Sequence, residues 1–170
     1  GLGAASHLCG LLFQQSVKID MTTVPYKGTA PAMTDLLGGQ VDIMCDQTTN
    51  TTQQIESGKV KAFAVTTLKP LTTPTLAKLP TLDASGLKGF NVSIWHALYA
   101  PKGTPKAVQD KVNAALVAAL KDPEFIKRQE ALGAVVVTDN RLQPAEHKKF
   151  VEAEMNKWGP AIKAAGQYAD

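Results

Sequence analysis

The feature that most constrains this chain is the alternation of Pro- or Gly-bounded helical stripes with short β-branched runs. Helical stripes space apolar residues by three and four, whereas strands alternate or run apolar over four to eight residues. Leu8, Leu11 and Leu12, with Ala5, share one stripe and predict a helix over 5–17. Residues 18–25 alternate loosely and stop at Pro25, as a short strand does. Gly28-Thr29-Ala30-Pro31 then opens a helix. Thr29 or Ala30 is placed to cap it, and Pro31 suits its first turn because the absent N–H would have been an orphan there. Met33, Leu36 and Leu37 give that helix its buried side, and Gly38-Gly39 ends it.

The pattern continues. Val41 to Cys45 reads as a buried strand. The polar run that follows holds Thr48, Thr49, Thr51 and Thr52 around Asn50, a composition with poor helix propensity, although Ile55 to Gly58 looks like a helix end. Lys61 to Thr66 alternates as a strand, 69–80 is a loop punctuated by Pro70, Pro74 and Pro80, and 91–100 is β-rich. Thr104-Pro105 is a cap followed by a first-turn proline, and Val108, Val112, Leu116 and Leu120 recur on one face. Asp122-Pro123 repeats the device for a helix ending at Gly133. Ala134 to Thr138 reads as a strand. Pro144 opens a long last helix carrying Val151, Met155, Trp158 and Ile162, which Gly166 closes. Strands alternating with helices argue an α/β fold with largely parallel pairing, in which ligands sit at the carboxyl ends of strands.

Composition narrows the function. At 170 residues, with 44% hydrophobic and 19% charged, the chain can bury a sizeable core. A net charge of +3 gives no basic surface for nucleic acid or an anionic membrane. The longest plainly apolar stretch, Ala114 to Leu120, falls far short of the roughly 20 residues a membrane span needs. Three His do not assemble a metal site, no G-x-S-x-G elbow is present, and His7 and Cys9, two apart on a helix, point to different sides. No catalytic set, metal site or cofactor site is expected. Cys9 and Cys45 leave three readings open: a disulfide, metal chelation together with His7, or two separate buried thiols, the last being the default.

Three places could meet a ligand. Gly1-x-Gly3-x-x-Ser6 precedes an apolar helix and resembles a truncated anion cradle. Its glycines let backbone approach a ligand, a helix's first turn offers N–H groups and a positive dipole end, and Ser6 adds a hydroxyl. A capped helix start is the plainer alternative. Tyr26-Lys27-Gly28 is a second turn of this kind, with Lys27 either an anion clamp or a solvated lysine. Asp46 directly follows a buried strand, where its carboxylate either meets a ligand or fixes a neighbouring loop.

Several stretches, taken in order, resemble one family. They are Gly3-Ala4-Ala5-Ser6-His7-Leu8, Val24-Pro25-Tyr26-Lys27-Gly28, Pro31-Ala32, and 35–42 with its Leu36-Leu37-Gly38-Gly39-Gln40 centre. Ile55, Gly58 and the 59–66 run, Leu79-Pro80-Thr81, Gly86, Gly89-Phe90, Trp95, Ala100-Pro101, Gly103-Thr104-Pro105 and Leu132-Gly133-Ala134 follow. Each motif is weak alone, but the ordered set resembles the substrate-binding proteins of bacterial tripartite tricarboxylate transporters, the Bug family, over essentially the whole chain. The resemblance implies a type II periplasmic binding-protein fold, two α/β lobes around a cleft, with the N-terminal part absent. It makes residues 1–91 most of the second lobe, and 92–170 a hinge strand plus the returning part of the first. It implies a periplasmic protein, not an enzyme, that holds a small carboxylate and delivers it to membrane transporter subunits; a sensor of the same fold, or an enzyme completed by the absent lobe, are the alternatives. The matching ligand-binding positions are Gly1, Gly3, Ala4, Ser6, Tyr26, Lys27, Gly28 and Asp46. Cys9, Cys45 and the threonine-rich run at 48–52 depart from the family pattern, so no family role transfers to them. A piece of this kind is expected to associate with its missing half or with itself.

Overall fold

The computed structural model describes residues 1–165. Its helices are α1 (Ala5–Val17), α2 (Thr29–Leu37), α3 (Thr48–Glu56), α4 (Lys106–Ala119), α5 (Pro123–Ala131) and α6 (Pro144–Ala165), with a 3-10 turn at Asn140–Leu142. Five of the six lie where stripes and punctuation predict them. The expected close of α6 at Gly166 falls outside the described residues.

The helix boundaries follow local chemistry. Asp122 caps α5 by accepting the Phe125 N–H at 2.8 Å, with Pro123 in the first turn. Gly133, at φ 79°, takes the left-handed turn after that helix. Two predicted caps are corrected. Gly28, at φ 119°, occupies the cap position of α2, and Thr29 turns its hydroxyl to Asp46 instead. Pro105 holds the cap position of α4, while the Thr104 hydroxyl donates to the Pro101 carbonyl at 2.9 Å.

The helix α3 overrides its own propensity. Thr51 and Thr52 donate back to the carbonyls of Gln47 and Thr48, at 3.2 and 2.9 Å, so their hydroxyls are satisfied within the helix instead of competing with it. Tertiary contacts add to this. The hydroxyls of Thr48, Thr52 and Thr73 donate to the carbonyls of Gly133, Leu132 and Glu130, at 3.1, 3.1 and 2.9 Å. These carbonyls lie at the end of α5, where a helix leaves its last acceptors without intrahelical donors. Thr52 is fully buried by the contact.

The expected strands are a second correction. Among the described residues, segments 18–25, 41–45, 61–66, 91–100 and 134–138 carry no strand ladder; the sheet is reduced to a parallel bridge between Val65 and Thr81. Around it, Val65 N–H donates to Pro80 O, Leu82 N–H to Val65 O, and Val92 N–H to Thr66 O, at 2.9, 3.0 and 3.0 Å. A strand needs partner N–H and C=O groups in register. Here residues 21–26, 40–46 and 59–67 instead border a cavity of about 1420 Å³.

The core sits beside this cavity. Cys9, Phe90 and Val92 are buried, with Leu12, Phe13, Cys45, Leu82, Leu87 and Trp158 packed against them. Trp158 comes from α6, so this core joins residues on both sides of position 92. The stripe expected to bury α4 does not: Val108 and Val112 are each 49% exposed. Leu37 of α2 is also exposed, while Met33 is buried. The default reading of the cysteines is overturned as well, since Cys9 and Cys45 form a disulfide across 36 residues. Facing positions on α1 and on the 41–45 segment bring the two sulfurs together, a proximity that sequence spacing does not encode.

Candidate functional site

The three loops singled out in the sequence gather around the large cavity. Gly1, Ala4, Ser6, Tyr26, Gly28 and Asp46 all border it; Gly3 and Lys27 do not. Gly1 abuts the second loop, because a methyl built on it would meet the Tyr26 carbonyl at 3.6 Å.

At the first loop, Gly3 sits at φ 74° and donates its N–H to His7 Nδ1 at 3.1 Å. The Ala4 N–H donates to the Gly1 carbonyl at 3.2 Å. Both groups are therefore used in shaping the loop. The helix it feeds has no side-chain cap and no acid in its first turn. Its first N–H groups have no intrahelical acceptor, and the positive end of its dipole is not countered by an acidic side chain in that turn.

At the second loop, Gly28 has open space where a side chain would stand, and its φ of 119° is one L-residues rarely adopt. The following helix, α2, again lacks a side-chain cap and a first-turn acid. The Tyr26 hydroxyl donates to Asp35 Oδ2 at 2.7 Å, and this bond to a carboxylate raises the phenol above its ordinary value of 10.0. Tyr26 is thereby fixed as a neutral donor over the side of α2. Lys27 is exposed.

Asp46 resolves differently from its neighbours. Its Oδ2 accepts from the Thr29 hydroxyl at 2.7 Å, and its Oδ1 from the Gln47 N–H at 2.7 Å and Asn50 Nδ2 at 3.1 Å. Asn50 Nδ2 also reaches the Thr29 hydroxyl at 3.1 Å. One carboxylate thus ties the start of α2 to the start of α3, which also lacks a side-chain cap. Gln47 continues the link, its Oε1 lying 3.1 Å from His96 Nε2 on the 91–100 segment. Sequence reading did not single out Thr29, Gln47, Asn50 or His96 as site partners. The only available signal was the polar run itself, which names candidate donors but not their acceptor.

The arrangement can do one thing chemically: offer helix N-termini and hydroxyls to an anion in a largely apolar cavity. Among the described residues no group of three His, Cys, Asp or Glu could hold a metal, and no helix is long and apolar enough to cross a membrane.

The chain is similar to a solved periplasmic binding protein, BugD, at 57% identity and a TM-score of 0.89, over 96% of this chain and 54% of that one. It is similar to MatC from Rhodopseudomonas palustris, solved with bound malate, at 36% identity and a TM-score of 0.87, over 94% and 54%. It is also similar to Rpa4515 of R. palustris, solved with adipate, at 32% identity and a TM-score of 0.87, over 97% and 54%. The chain spans about half the length of the curated relatives it matches. Its fold is accordingly the periplasmic binding-protein fold over about half of that fold's length. The family model described as "Tripartite tricarboxylate transporter family receptor" matches residues 1–167. The chain belongs to the tripartite tricarboxylate transporter receptor family.

Proposed function

We propose that the full protein is an extracytoplasmic solute receptor that captures a small carboxylate, without transforming it, and delivers it to the membrane subunits of a tripartite tricarboxylate-type transporter. The observation that carries this reading is the pair of uncapped helix starts, α1 and α2, opening through glycine-bearing loops onto one cavity. Backbone N–H groups there meet a carboxylate without a counter-cation, which is why a net charge of only +3 suffices. Similarity to proteins solved with malate and with adipate supports a dicarboxylate in particular. The Cys9–Cys45 disulfide supports an oxidising, periplasmic compartment.

In this reading Gly1, Ala4, Ser6, Tyr26 and Gly28 line the ligand. Gly3 shapes the first loop, Lys27 is an exposed long-range attractor, and Asp46 positions the starts of α2 and α3. Residues 1–91 and 92–170 belong to the two lobes, with 92–100 as hinge. Each charge-assisted hydrogen bond contributes about 1.5–3 kcal/mol, so three to five reach the roughly −8 kcal/mol of a micromolar complex.

The test is titration of the full protein with malate, adipate and citrate, beside their diamides, by calorimetry and thermal melting. Micromolar heats and a raised Tm with the acids alone are expected. If neither signal appears across the acid panel, the carboxylate reading fails.

A further inference from the structure

We infer that the Cys9–Cys45 disulfide is a positioning element of the carboxylate site, setting the separation of its two walls; this rests on the function proposed above. Cys9 lies on α1, one turn beyond the Ala4–Ser6 entry, and is 2% exposed. Cys45 immediately precedes Asp46, whose carboxylate gathers Thr29, Gln47 and Asn50 from the starts of α2 and α3. The covalent bond therefore joins the helix that forms one wall to the knot that organises the other. Both cysteines border the same cavity as Ala4, Ser6, Gly28 and Asp46.

The other restraints described between the walls are non-covalent. Gly1 lies beside the Tyr26 carbonyl, and Gln14 of α1 accepts from the Met21 N–H at 2.8 Å and donates to the Thr23 hydroxyl at 3.4 Å. The intervening segments 18–25 and 41–45 have no strand ladder to hold their spacing. A ligand carboxylate needs N–H groups from both helix starts within hydrogen-bond reach at once, and a positional error near 1 Å forfeits that geometry. The disulfide is the bond that keeps the starts in register while the cavity is empty.

The test uses the full protein. Wild type in its oxidised form, the Cys9→Ala/Cys45→Val pair and the Cys9→Val/Cys45→Ala pair are titrated with malate and adipate at 10 °C, with circular dichroism reporting the folded fraction. A fourth arm is wild type treated with a dithiol, which takes the disulfide to two thiols as the reagent closes its own ring. The expected result is affinity lower by roughly tenfold or more in every folded, disulfide-free form, with native far-ultraviolet signal retained. Equal affinity in any folded disulfide-free form overturns the inference. The proposed function fails separately, when oxidised wild type itself binds neither acid. Should every disulfide-free form unfold, amide exchange of oxidised wild type decides. Protection by ligand at both 5–8 and 46–50 is required, and protection at one wall only overturns the inference.

Discussion

Replacing Gly133 with alanine tests the packing between α5 and α3 in quantitative terms. Gly133 sits at φ 79°, a conformation that costs a residue with a Cβ about 1–2 kcal/mol. A Cβ there would also lie 2.6 Å from Leu76 Cδ1 and 3.0 Å from Thr48 Cβ. Leu76 is 1% exposed, and Thr48 is held by its bond to the Gly133 carbonyl. Overpacking of this kind adds about 1–3 kcal/mol. The sum is about 2–5 kcal/mol. With an unfolding entropy of about 2.1 cal/mol/K per residue over 170 residues, the melting temperature falls by roughly 6–14 °C. Gly58→Ala is the matched control: Gly58 also follows a helix, at φ 67°, but nothing lies within 4 Å of its added Cβ. It bears only the backbone cost, a fall of roughly 3–6 °C. Thermal melts of the two variants by circular dichroism separate the contributions. Equal shifts would refute the claim that Gly133 is required by close approach rather than by conformation alone.

Other perturbations have equally direct readouts. Removing the disulfide frees a loop closed over 36 residues, worth about 4 kcal/mol of loop entropy, and a dithiol should lower the melting temperature by roughly 10 °C; an unchanged melt in reductant would contradict the crosslink. Thr52→Val keeps the shape but removes the hydroxyl donor from the part-buried Leu132 carbonyl, at a cost of about 0.5–1.5 kcal/mol measurable by urea denaturation. Asp139 is held at about 2, below the ordinary 3.8, first by its side-chain bonds from Arg141 and then by the Arg141 N–H. Because the folded value is depressed, its contribution is present above pH 3.8 and is lost as pH falls through about 2. Asp139→Asn should therefore be the less stable protein at neutral pH and match wild type near pH 2, and a gap that persists in acid would speak against the pairing.

The sequence told most where structure is local. Asp122-Pro123 and the Gly133 turn mark α5 because cap, first-turn proline and left-handed stop act within a few residues. It misread α3, since what steadies those threonines is acceptors 80 and 85 residues away, on Leu132 and Gly133. It placed strands at 41–45 and 61–66 from a compact apolar run and from alternation, but such patterns report fitness for a ladder, not the presence of a partner. At the site, glycine punctuation pointed to the two helix starts, whereas the function of Asp46 stayed open. A carboxylate's role is set by who donates to it, and Thr29 and Asn50 are brought to it only by folding.

The three threonine hydroxyls on the end of α5 carry a lesson about which mutations such a joint can accept. Their acceptors are main-chain carbonyls of Glu130, Leu132 and Gly133, which no substitution can delete. The demand is permanent on one side, so tolerance must come wholly from the donors. Serine is the only replacement at positions 48, 52 and 73 that keeps a hydroxyl on the same carbon at no greater bulk. Compensation from α5 is closed off, because Gly133 has no room to grow. A stretch that looks like a low-information polar linker is thus among the least negotiable parts of the chain, and genetic drift through it would run along a path one residue type wide.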